Sequence, residues 1–208
     1  MSSTNGTQIL KDVYALIAVS WCSPLEEEEK RERFKKEAEE VVKKLESIDK
    51  EAAIMLFRFL GEDDISEEEY IDLFELNPQC PLYLGAHTYD EPKTCASAGV
   101  SDRNEYMIDL VGIYKHFGRK PDLKELPDYF PLMINFLSLT TESKDDPVRD
   151  KLIEEYILPF LPPMRSRLER LKTPYLHLLD ALERVISIES KMQPLSKQRE
   201  QKVEDHVG

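Results

Sequence analysis

Four carboxylates, Asp102, Glu105, Glu125 and Asp128, bracket a single helical pattern in the stretch SDRNEYMIDLVGIYKHFGRKPDLKELPDYFP, residues 101–131. Carboxylates accept paired hydrogen bonds from a guanidinium, and each charge-assisted bond contributes on the order of 1.5 to 3 kcal/mol. Tyr106 and Tyr114 lie on the apolar stripe of the same pattern, and the spacing predicts that they floor a groove bordered by the four acids. A groove of this kind reads a cationic peptide, above all one with adjacent arginines. The competing reading makes Asp102 and Asp128 simple helix caps, which also favour the positive end of a helix dipole. The stretch carries no nucleophile, so it points to recognition and not to catalysis.

Other chemistries fit the residues less well. GIYKHFGRK, 112–120, sets its glycines one residue too far apart for a phosphate loop and has no Ser or Thr after the lysine. It also falls within and just after a helix, where such a loop must join a strand to a helix. Cys80, His87 and Cys95, with Asp90 as a nearby fourth donor, offer thiolate and imidazole but lack the short paired spacings of a structural zinc site. Two small buried cysteines and a loop histidine are the simpler reading; a Cys/His metal-binding protein, or a generic helical scaffold, is the alternative function. His116 faces away from the Tyr106, Leu110, Phe117 stripe and is expected to be exposed. His177 and His206 have no carboxylate or nucleophile at a useful spacing, and neither a Ser/His/Asp nor a zinc-protease signature occurs. No enzyme activity, metal or cofactor is therefore assigned.

The positioning elements are expected to be helical throughout. The chain has 208 residues, enough for one well-buried domain. Its 7 Gly are few for a nucleotide-binding α/β fold, and its 13 Pro fall mostly between helical patterns. An all-α, single-domain helical bundle over 1–193 follows, with a polar tail, 194–208, expected to be disordered. A net charge of −13 disfavours nucleic acid and anionic lipid and suits a basic partner, although surface charge also serves solubility. Three cysteines, an odd count, fit a reducing compartment. The apolar run VYALIAVSWC, 13–22, has no small-residue cleavage pattern after it, and no run approaches the ~20 residues of a membrane-spanning helix.

Punctuation along the chain sets the helix ends. A first helix is expected over 9–21, and a second opened by Ser23, Pro24 and Glu26 as cap, first-turn proline and capping-box acid. A third, 50–60, is apolar almost all round, as a central element would be, and Ser66 with Glu69 forms a capping box for the fourth. Periodicity vanishes over 80–99, a loop long enough to be functional. Gly118 stops the helix that starts near Asp102, and Asp128 is expected to cap the next, running to about Leu139 with Pro131 in its first turn. Asp146 with Pro147, and Thr173 with Pro174, open the last two helical regions, with a break near Pro159, Pro162 and Pro163.

In order along the chain, CPLYLG, SDRNEYMIDLVGIYKHFG and ELPDYFPLMINFL resemble the cytoplasmic assembly chaperones of molybdenum oxidoreductases. These are the nitrate reductase delta-subunit type and the related trimethylamine-N-oxide reductase chaperones. The wording is most similar to the branch serving dimethyl sulfide, selenate, chlorate and ethylbenzene enzymes. The resemblance implies an all-α cytoplasmic chaperone that binds the apo catalytic subunit of a dimethyl sulfoxide reductase-family enzyme, often at its twin-arginine leader. It holds that subunit until molybdopterin cofactor is inserted and performs no redox step itself. By motif position, Asp102, Arg103, Tyr106, Tyr114, Glu125, Pro127, Asp128 and Tyr129 become the client-facing or site-shaping residues. In much of the family a histidine follows the motif aspartate, where Tyr129 stands here. The loop over 80–99 admits either a monomer or a domain-swapped dimer.

Overall fold

A computed structural model describes residues 2–62, 65–89, 101–120 and 124–192. Within them the chain forms helices α1 (Ser2–Ser20), α2 (Glu28–Glu46), α3 (Lys50–Gly61) and α4 (Glu67–Phe74). A 3₁₀ turn, Leu84–His87, precedes α5 (Asp102–His116) and α6 (Phe130–Leu139). Then come α7 (Pro147–Lys151), α8 (Leu161–Leu171) and α9 (Tyr175–Lys191). The all-α expectation holds: among the described residues no strand occurs, only an isolated antiparallel bridge between Tyr83 and Tyr129. The expected tail, together with Asp90 and Cys95, lies outside the described residues.

The apolar run 13–22 lies mostly within the central helix, α1. Val13, Tyr14, Ile17 and, just past its end, Trp21 are completely buried, and α1 packs against α6, α2 and α9. Each such side chain contributes about 1.5–3 kcal/mol relative to exposure. Trp21 closes the end of α1 by stacking on Tyr175, 5.0 Å between centroids, and meeting Phe130 edge-on at 5.1 Å. Among the described residues no helix is long and apolar enough to cross a membrane.

The expected centrality of α3 is corrected. It packs on α9 and α2, but Ile54 is 50% exposed and Phe57 36%, so one of its apolar faces looks outward. The start of α2 is also corrected. Glu27 holds the cap position without a side-chain cap bond, and the turn before it is fastened instead by Arg31 Nη1, which donates to the carbonyls of Leu25 and Glu26. That fastening carries Pro24 and Leu25 out of the helix. Other punctuation stands as read: Ser66 and Glu69 form the reciprocal capping box of α4, Asp146 caps α7, and Gly118 adopts φ +66° after α5. The proline break is drawn out, since α7 runs into a π-helical stretch, Leu152–Ile157, and a 3₁₀ turn, Leu158–Phe160, before α8. Pro159, in that 3₁₀ turn, has no N–H to continue an α-helical ladder.

Candidate functional site

Two loops that are distant in sequence form the centre of the motif region. The Leu84 N–H donates to the Asp128 carbonyl at 3.0 Å, and the Phe130 N–H donates to the Leu82 carbonyl at 2.7 Å. This backbone clip lays CPLYLG against ELPDYF. Next to it the Gly85 N–H donates to Asp128 Oδ2 at 3.0 Å. A Cβ on residue 85 would stand 2.9 Å from that oxygen, so only glycine permits the approach.

Asp128 therefore does not cap α6. Tyr129 occupies the cap position without a side-chain bond, and the Asp128 carboxylate turns inward, completely buried. Burial pushes its pKa above the ordinary carboxylate range, and the Gly85 N–H and the positive charge of Arg103 partly offset that. Oδ1 has no hydrogen-bond partner among the described residues.

Tyr106 and Tyr114 are core residues and do not floor an open groove. Tyr106 donates to the Tyr156 carbonyl at 3.0 Å, stacks on the Tyr156 ring and packs on Phe160 at 4.6 Å. Tyr114 donates to the Pro127 carbonyl at 2.7 Å and packs on Phe136. Both phenols are pushed up, chiefly by burial and then by the charge of Asp128. Each ties α5 to a neighbouring segment, so the pair shapes the region from below.

The surface residues fall into two sets. Glu125, half-buried, accepts from the Tyr83 hydroxyl at 2.6 Å, and the Tyr83 ring lies 5.5 Å from that of Tyr129. Burial, and next the Cys22 thiol, push Tyr129 up to about 12. Asp102 and Glu105 are exposed in the first turn of α5, where the cap is Ser101, accepting from the Asn104 N–H. Arg103 is half-buried. The four carboxylates thus do not share one rim: Asp128 is interior, Glu125 belongs with Tyr83 and Tyr129, and Asp102 and Glu105 begin α5. Sequence reasoning missed Tyr83, Gly85 and Cys22. The first two were within sight, since CPLYLG is a motif, but the pairing of that motif with ELPDYF leaves no periodic signal.

Cys80 and His87 serve packing. Burial pushes the Cys80 thiol up to about 12 and His87 down to about 4, so at neutral pH both are uncharged. The His87 Nε2 lies 2.8 Å from the Pro81 carbonyl. Their third proposed companion, Cys95, is outside the described residues.

The sequence pattern of the nitrate reductase delta subunit family matches residues 37–166, which includes the clip, both tyrosines and all of α5 and α6. The chain belongs to the nitrate reductase delta subunit family. Among curated relatives, a probable nitrate reductase molybdenum cofactor assembly chaperone, NarW, of Escherichia coli K12 is 30% identical over 116 residues, 56% of this chain and 45% of the relative. The nitrate reductase molybdenum cofactor assembly chaperone NarJ of the same strain is 27% identical over 118 residues, 56% of this chain and 44% of the relative. The matched region spans less than half of each relative. The family's all-α character agrees with the helices described above.

Proposed function

We propose that this delta-subunit family member is a maturation chaperone for the catalytic subunit of a molybdopterin oxidoreductase. It binds the apo subunit in the cytoplasm at a twin-arginine leader, holds it while molybdenum cofactor is inserted, and catalyses no step. Family membership carries the reading, because the family pattern covers the clip and α5 and the curated relatives are named as molybdenum cofactor assembly chaperones. The acidity of the chain supports it, since −13 of net charge favours a cationic leader. Within the site, Asp102, Arg103, Glu125 and Tyr129 are the client-facing residues, while Tyr106, Tyr114, Pro127 and Asp128 hold the loops that present them. The curated relatives are nitrate reductase chaperones, whereas the motif wording is most similar to the branch serving dimethyl sulfide, selenate, chlorate and ethylbenzene enzymes. The client is therefore defined by its cofactor and leader, not by its substrate.

The test is affinity capture of the full chain from its source cells with mass spectrometry of the bound proteins, repeated after deletion of the client's leader. Recovery of a molybdoenzyme catalytic subunit, lost on leader deletion, is the expected result. A capture with no molybdoenzyme subunit refutes the proposal, and capture that survives leader deletion moves the contact to the body of the client.

A further inference from the structure

Beside the motif region, a cleft of about 580 Å³ opens between the end of α1, the 22–26 turn, α2, the end of α3 and the start of α4. Val19, Leu25, Phe34, Phe59, Leu60 and Ile65 line it. Val19 is 54% exposed and Leu25 40%, so apolar surface that costs free energy in water is left open at its mouth. Ser20, over nine-tenths buried, also lines the cleft, and its hydroxyl has no hydrogen-bond partner among the described residues. A volume of this size takes several side chains of a peptide.

Charge around the cleft is unequal. Glu26, Glu62 and Glu67 line it, opposite Arg31 and Lys35 on α2. Arg31 is turned onto the carbonyls of the 22–26 turn. From Glu67 the acid continues along α4 as exposed Glu68 and Asp72 and just past it as Glu75, and α4 contains no basic residue. The cleft is joined to the Glu125 and Tyr129 edge through Cys22, an exposed thiol on its lining, which lies within electrostatic reach of Glu125, Tyr70 and Tyr129. Tyr70 in turn donates to the Trp21 carbonyl at 3.0 Å. The surface thus runs from an acidic edge into an apolar hollow.

We propose that this cleft seats the apolar side chains of the client's cationic leader while the carboxylates of α4 and Glu125 take its arginines. The inference rests on the chaperone reading and locates the apolar half of recognition on α1, α2 and α3, away from the buried Tyr106 and Tyr114. Cys22, on the lining, and Trp21, the single tryptophan of the chain, buried and stacked on the lining residue Tyr175, report on the cleft.

The experiment uses the full chain carrying Cys95→Ser, in which only Cys22 and the completely buried Cys80 remain. The probe is a synthetic peptide with two adjacent arginines followed by leucines and alanines, and the control keeps the arginines but replaces the apolar residues with serine. The first peptide is expected to slow alkylation of Cys22 at least tenfold and to shift Trp21 emission, and the control to do neither. Val19→Asp with Leu25→Asp is expected to weaken the first peptide at least tenfold, and the milder Val19→Ser with Leu25→Ser to weaken it less. Both positions are exposed, so circular dichroism should be unchanged. Unchanged peptide affinity in both double variants, or full Cys22 reactivity at peptide saturation, overturns the cleft. So does a Cys22 shielded in the free chain and released by deleting 193–208, which makes the chain's own tail the occupant. Capture of the molybdoenzyme subunit at wild-type level by the aspartate variant removes the cleft but leaves the chaperone reading intact. Failure of the wild-type chain to capture any such subunit removes both.

Discussion

The carboxylate of Asp128 and the backbone of Gly85 hold each other in place, with Oδ2 accepting the Gly85 N–H at 3.0 Å inside the protein. Asp128→Ala strips the acceptor from a buried donor, which costs about 1–3 kcal/mol, and it loosens the clip that presents Glu125 and Tyr129. Asp128→Asn keeps an acceptor at the same place without the charge. We expect the alanine variant to lose stability in urea and to capture less client while helicity stays near normal, and the asparagine variant to capture client as wild type does. Because burial raises the pKa of Asp128 in the folded chain, folding is penalised above that value and relieved as pH falls through it. The asparagine variant should therefore be the more stable at pH 7, with the difference closing on acidification. Loss of client by a fully stable asparagine variant would make the carboxylate itself a contact.

What sequence pattern could and could not show follows from the range of the interactions. Capping by Ser66 and Asp146 and the stop at Gly118 are local bonds between residues two to four apart, so residue type and spacing reveal them. Asp128 has the residue type of a cap, yet its partner is 43 positions away, and no local rule distinguishes the two uses. Tyr106 and Tyr114 were correctly placed on the inner stripe of α5, but whether an inner stripe meets solvent or Phe160 and Phe136 depends on elements far along the chain. The outward apolar face of α3, with Ile54 and Phe57, misled for the same reason: an all-round apolar helix is usually central, and here α1 has taken that position.

Arg149 and Glu189 form an interior ion pair, with Nη1 2.7 Å from Oε1 and side chains 0% and 2% exposed. Arg149 also donates to Thr140 Oγ1 and the Leu137 carbonyl, and the Tyr14 hydroxyl donates to Glu189, so the group joins α1, α6, α7 and α9. Removing one member leaves a buried charge uncompensated. Arg149→Met alone is expected to cost about 3–5 kcal/mol, while Arg149→Met with Glu189→Leu and Tyr14→Phe restores stability to within about 1–2 kcal/mol of wild type. Chemical denaturation of the series checks this, and a triple variant as unstable as the single one would show that the group contributes more than charge balance.

Asp49 should govern part of the acid sensitivity of the α3 and α9 pairing. It caps α3 by accepting from the Ala52 N–H and takes Arg184 on both oxygens, at 2.8 Å to Nη2. The Arg184 bonds chiefly hold its carboxyl below the ordinary range. A depressed folded value means that the stabilisation is present above the unfolded value of about 3.9 and is lost as pH falls through the folded one. Asp49→Ala is expected to cost about 1–2 kcal/mol at pH 7, mainly through the cap. Thermal melts should show the gap between variant and wild type shrinking below pH ~4, and a gap independent of pH would deny the pairing its role.

His87 works in the opposite sense. Burial lowers it to about 4, whereas in the unfolded chain it titrates near the usual ~6.5. The folded chain then binds fewer protons between those values, so stability that is fully present above pH ~6.5 falls steadily as pH drops toward 4, by on the order of 2 to 3 kcal/mol. With Nε2 2.8 Å from the Pro81 carbonyl and Nδ1 buried without a partner among the described residues, the neutral ring donates through Nε2. Because this ring bonds back to Pro81 across the segment that carries Tyr83 and Gly85, acidification should loosen the clip before the rest of the fold. Nuclear magnetic resonance titration of the imidazole signals is expected to show one of the 4 histidines still neutral at pH 5. The amides of 82–85 should gain exchange rate between pH 6.5 and 5 beyond the intrinsic pH dependence, and His87→Gln should remove that gain. Four imidazoles titrating together near pH 6.5 would contradict the buried neutral ring.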